Sequence, residues 1–80
     1  MNFYSIWTSN YGTVNVVIYP PKTPCEAFPG SPIFPSSWCA VFFFPGLEPR
    51  IKAYSSYEEC ENNFVTDANA LVNRKVASYV

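Results

Sequence analysis

Histidine is absent from this chain, and charge is scarce. Five basic and six acidic side chains make up 14% of 80 residues, against about 25% in ordinary soluble domains. Without histidine the commonest general base and metal ligand is missing. Ser-His-Asp and Cys-His catalytic sets are therefore excluded. Glycine is almost as rare: Gly12, Gly30 and Gly46 are the only three. None is spaced as in a phosphate-cradling GxxxxGK[ST] or GxGxxG loop. The basic residues Lys22, Arg50, Lys52, Arg74 and Lys75 are scattered, and the net charge is −1. Nucleic-acid binding normally needs a stripe of such charges, so nucleic acid is not an expected partner. Six acids are also too few for the dense negative field of a DNA mimic. No apolar run approaches the ~18 residues of a membrane span. No charged opening followed by an apolar stretch reads as a signal peptide. The expectation is a cytoplasmic protein with no membrane association and no cofactor.

Cysteine is present, but in an unhelpful number. Cys25, Cys39 and Cys60 are odd in count and widely spaced, unlike a secreted disulfide framework. A zinc site lacks its fourth ligand. The residues read as reduced thiols packed as small hydrophobes, with one disulfide and a spare thiol as the alternative. Glu58, Glu59 and Glu61 resemble a carboxylate cluster, but their place at a helix start assigns them to capping and dipole compensation. No residue set suggests catalysis, and the chain reads as a non-enzyme without metal or cofactor.

What the chain does have is apolar surface. Hydrophobic residues make up 49% and aromatics 19%, with seven Phe, six Tyr and two Trp. A domain of this size buries only about 60–65% of its unfolded surface. Some of the fifteen rings must then lie outside, either half exposed at sheet edges or as an interaction surface.

The run Trp38 to Pro45 is wholly apolar and closed by Pro45-Gly46. It reads as an interior strand over residues 38–44 with both faces buried. Trp38, Ala40, Phe42 and Phe44 point one way, and Cys39, Val41 and Phe43 the other. Upstream, residues 3–8 and 13–19 read as a hairpin around Ser9-Asn10-Tyr11-Gly12. Val14, Val16 and Ile18 share one face, and Asn15 marks the other as less deeply buried.

The segment from Pro20 to Ser37 holds six of the eight prolines, which rules out a helix or interior strand there. Its Phe28, Ile33 and Phe34 imply that it packs on something. It is either a rigid crossover laid on its own sheet or a preorganised loop that docks on a partner. After the Pro45–Pro49 reversal, residues 50–54 alternate. Ile51 and Ala53 are expected inward, and Arg50, Lys52 and Tyr54 outward on an exposed or edge strand.

From Tyr57 a helix is predicted to about Val76. Ser56 and Glu59 form a capping box, and Tyr57, Cys60, Phe64, Ala68, Leu71, Val72 and Val76 form an apolar stripe. Arg74 and Lys75 suit the negative end of its dipole.

These elements predict one α+β domain over residues 1–80. It is a four-stranded, mainly antiparallel sheet with one C-terminal helix packed on one face. The proline loop or a second subunit is expected to shield part of the other face. The expected partner-binding residues are Phe28, Phe34, Arg50 and Tyr54.

Part of the chain resembles a known family. Val41-Phe42-Phe43-Phe44-Pro45-Gly46-Leu47, Ile51 to Ser56, Glu58-Glu59-Cys60-Glu61-Asn62-Asn63 and Ala68-Asn69-Ala70-Leu71 are similar to the core of HicB-type antitoxins. The similarity covers about Cys39 to Leu71. It departs from the family at Tyr54-Ser55, where a glycine-acid pair is usual, and at Cys60, where alanine is usual. The proline-rich insertion has no counterpart, and the family's DNA-binding segment has none after the helix. The resemblance implies a strand-strand-helix layout and a small protein that binds and neutralises a partner protein. By type alone, the composition is similar to small phage-encoded inhibitors of host defence, anti-CRISPR proteins among them. Both point to stoichiometric binding of another protein, with a homodimer also open. The alternatives are an antitoxin-like module of a toxin-antitoxin pair and a self-associating structural or assembly protein.

Overall fold

A computed structural model describes residues 2–9 and 11–79, with side chains described through residue 69. The chain forms β1 (Asn2–Thr8), β2 (Gly12–Tyr19), β3 (Trp38–Phe43), β4 (Arg50–Tyr54) and α1 (Tyr57–Tyr79). The strands make one antiparallel sheet in the order β1-β2-β3-β4, and α1 packs across one face. This is the expected α+β arrangement, with β3 as an interior strand.

The alternation of β3 divides the interior in two. Ala40, Phe42 and Phe44 join Val14, Val16 and Ile18 beneath Cys60, Phe64 and Ala68 of the helix. Cys39 and Val41 face the other way, into a smaller cluster with Val17, Tyr19 and Cys25. Both faces of β3 are therefore covered, as an uninterrupted apolar run requires.

Turn chemistry fixes the register. Thr8 is buried at the hairpin; its hydroxyl donates to the Gly12 carbonyl at 3.0 Å and accepts from the Tyr11 N–H at 3.2 Å. That closure pairs Thr8 with Gly12 and so sets every later pair, Ser5 with Asn15 among them. Between β3 and β4 the Leu47 N–H donates to the Phe44 carbonyl at 3.1 Å. Pro45 and Gly46 occupy the corner, Gly46 at φ 73, where only glycine turns without strain.

The proline-rich segment is the crossover laid on its own sheet. Cys25 is fully buried, and Ala27, Phe28 and Phe34 pack on the second cluster. The segment doubles back on itself: the Lys22 and Cys25 N–H groups donate to the Phe34 and Pro32 carbonyls at 2.8 and 2.9 Å. The Ala27 N–H donates to the Tyr19 hydroxyl at 3.0 Å, tying the loop to the end of β2.

At the helix start the Ser56 hydroxyl accepts from the Glu59 N–H at 3.1 Å, which is the predicted cap. The reciprocal bond differs from expectation. Glu59 reaches the N–H and hydroxyl of Ser55, at 3.2 and 2.9 Å, one residue before the cap. Tyr57, Cys60, Phe64 and Ala68 all face the core. The predicted roles of Leu71, Val72, Arg74, Lys75 and Val76 fall outside the described side chains.

Candidate partner-binding surface

The four residues expected to bind a partner do not share a surface. Phe28 and Phe34 are half-buried on the loop side of the sheet, packed into the second cluster. Arg50 and Tyr54 stand on the opposite side, in register with Phe42 and Trp38 of the helix-covered face. The expected orientation of β4 is thus corrected. Arg50, Lys52 and Tyr54 point toward the helix side, and Ala53 is exposed on the loop side.

Tyr54 is only 3% exposed. Its ring lies in the helix-side core, and its hydroxyl donates to Asp67 Oδ2 at 2.7 Å. Lys52 Nζ reaches the same oxygen at 3.2 Å. Burial, and then the Asp67 carboxylate beside it, push the phenol well above its ordinary range. A tyrosine satisfied in this way closes the helix onto β4 and is not available to a partner. Arg50 is half-buried at the rim.

The thiols are buried as well. All three cysteines are free and buried. Burial, and next the neighbouring Cys25 thiol, push Cys39 up to about 12. Burial, and next the charge of Asp67, raise Cys60 to about 11. Both stay protonated at neutral pH, so neither is an activated nucleophile. Among the described residues, no group of three or more Cys, Asp or Glu converges as a metal site.

The open surface lies elsewhere. The proline loop covers the end of the second face formed by Tyr19, Cys39, Val41 and Ile51. Along the β1 margin of the same face stand Phe3, Ser5 and Trp7, opposite Val17, Asn15 and Thr13 of β2, with Phe3 beside the covered row and Trp7 beside the hairpin turn. Phe3 is 72% exposed and Trp7 71%. They lie on the same side of one strand, about 13 Å apart along it. Between them the Ser5 hydroxyl donates to Asn15 Oδ1 at 2.9 Å. Phe43 is half-buried and pairs with Asn15 from the far side. Two large exposed rings on a polar-centred strand make a patch of the kind that marks contact sites.

Sequence reasoning missed Phe3 and Trp7 because β1 is apolar on both sides: Tyr4 and Ile6 alternate with them. The signal that finds them is cross-strand. With the hairpin closed at Thr8 and Gly12, Phe3, Ser5 and Trp7 fall on the side that Asn15 marks as open.

No family model matches this chain, and no significant match is found among curated proteins or solved structures.

Proposed function

We propose that this chain is a non-catalytic protein-binding module that neutralises a partner protein by occupying one of its surfaces stoichiometrically. The docking surface is the β1 margin of the loop-side sheet face, with Phe3 and Trp7 as anchors. The observation that carries this reading is their exposure, 72% and 71%, on one side of a strand whose other side already supplies the core. Exposed Trp and Phe side chains that contribute nothing to their own core are the residues from which interface hot spots are made. The similarity to HicB-type antitoxins and, by type, to phage-encoded anti-defence inhibitors supports the same class of activity. The scattered basic residues support a protein partner over nucleic acid.

The test is capture from a host lysate by the tagged chain, followed by native mass spectrometry. One protein at fixed stoichiometry is expected, retained in about 1 M salt, where the screening length is about 3 Å. The Phe3→Ser/Trp7→Ser double variant keeps its circular dichroism and loses that protein. Steeply salt-dependent retention of DNA would instead assign the chain to the antitoxin-like class with a nucleic-acid role. Undiminished capture by the folded double variant would refute the surface.

A further inference from the structure

The two edges of the sheet are not alike. β4 is preceded by Pro49 and carries Arg50 and Lys52, devices that discourage strand addition. β1, the other edge, reads NFYSIWT. It has no charge, no proline and no glycine. It runs against β2 one residue to one residue from Asn2 to Thr8, so no bulge turns it aside. Among the described residues nothing pairs with its outer side. An edge of this kind is a template for another strand.

We infer that β1 pairs antiparallel with β1 of a second copy about a two-fold axis through Ser5, joining the two sheets into one of eight strands. The strand is complementary to itself in that register. Phe3 falls opposite Trp7 of the second copy, Tyr4 opposite its Ile6, and Ser5 opposite its Ser5. Aromatic and aromatic–aliphatic pairs of this kind are the ones that stabilise neighbouring strands. No like charges meet, because the strand carries none. The axis stands perpendicular to the sheet, so the faces stay in step and the four rings form one strip on the loop side. Only one edge is unguarded, so the assembly closes at two copies and does not propagate as a filament. The helix-side core and the loop are untouched, and the rings keep one face free for a partner.

The contact is small. Two strand edges and the flanks of four rings bury roughly 1,000 Å² in total, the lower limit for a specific interface. A dimer with a dissociation constant in the range of about 1–100 μM is expected, visible on concentration.

The experiment uses the purified full chain, so its outcome is independent of whether the partner reading holds. Sedimentation velocity from low concentration to about 1 mM follows the monomer–dimer equilibrium. Ser5 is exposed, so Ser5→Lys leaves the monomer folded while setting two like charges face to face. It is expected to weaken the dimer at least tenfold with an unchanged circular dichroism spectrum. Ser5→Cys, treated with diamide, should crosslink across the axis. Thr13→Cys is on the same face but one strand inward, and should not. The native thiols are buried and leave the background low. A wild-type chain that stays monomeric throughout, a Ser5→Lys variant that dimerises normally, or equal crosslinking at both positions would overturn the assignment. A monomer whose Ser5→Lys variant loses a captured protein would give the edge to a foreign strand and overturn the dimer too.

Discussion

Truncating Phe42 tests the architecture most directly, because β3 presents two adjacent phenylalanines to two different environments. Phe42 is fully buried on the helix side, its ring 6.3 Å from that of Phe44 and nearly parallel to it. Its strand neighbours in register are Val16 and Arg50. Phe43 is half-buried on the loop side, where it packs on the smaller cluster beside Asn15. The sequence alone assigns both the same cost, since both sit in one apolar run. The structure separates them. Phe42→Ala loses the whole ring from a closed core and costs about 3–5 kcal/mol. Phe43→Ala forfeits roughly half the burial and costs about 1–2 kcal/mol. A domain of this length has about 4–12 kcal/mol in all. With a urea m-value of about 1 kcal/mol/M, Phe43→Ala moves the midpoint by about 1–2 M, while Phe42→Ala takes much or all of the transition with it. Phe42→Leu, expected near 1–2 kcal/mol, keeps the comparison measurable if the alanine variant is unfolded in water. Equal stabilities for the two alanine variants, within about 0.5 kcal/mol, would refute the two-sided account of β3.

Two further outcomes follow. Replacing Phe28 and Phe34 together by serine removes half-buried rings from the second cluster and should lower stability by about 2–4 kcal/mol; a fully stable variant that has only lost partner binding would return these residues to the docking surface. Stability should also fall in alkali. Cys39 and Cys60 ionise near 9.0 when unfolded but at about 12 and about 11 when folded, so above about pH 9 the unfolded chain holds fewer protons than the native one. The stability present below that pH is then lost at up to about 1.4 kcal/mol per pH unit for each thiol, and Tyr54 acts in the same direction. Urea midpoints that stay flat as pH rises through this window, or Cys39→Ala leaving the slope unaltered, would contradict the burial of these groups.

Much of this fold is written locally. The continuous apolar run of β3, the Pro45-Gly46 corner and the Ser56 cap are each decided by residues adjacent in sequence. The β4 orientation is not. An Arg-x-Lys-x-Tyr alternation reads as a solvent face, because nothing within those five residues says what faces them. The answer lies at Asp67, which takes both the Tyr54 hydroxyl and the Lys52 ammonium. That partner sits more than a dozen residues away on the helix, so the burial of Tyr54 is a tertiary fact. Lys52 reconciles its charge with the helix side by standing exposed on an edge strand, its ammonium 5.6 Å from the centre of the Tyr54 ring. The proline loop was legible as a segment that packs on something, but composition did not decide whether that is its own sheet or a partner. The cross-strand register decides, since Val17, Tyr19, Cys39 and Val41 present an apolar floor at only one end of that face.

The same register explains why the candidate surface lies on β1 and not on the loop. A stiff crossover can cover only the floor it spans, and it spans the end reached by Tyr19 and Cys39. What it leaves open is the row nearest the hairpin turn and the outer margin along β1, where Phe3 and Trp7 stay exposed. There the fold makes no demand for apolar side chains: Tyr4 and Ile6 attach β1 to the helix-side core, and Thr8 and Gly12 close the turn. Serine, threonine or lysine at positions 3 and 7 would keep that core and that turn while guarding the edge. Phenylalanine and tryptophan there add solvent-exposed ring surface that the monomer does not use. The uncovered margin and the unguarded edge meet on this one strand, and an apolar contact made at β1 uses both without disturbing anything that holds the domain together.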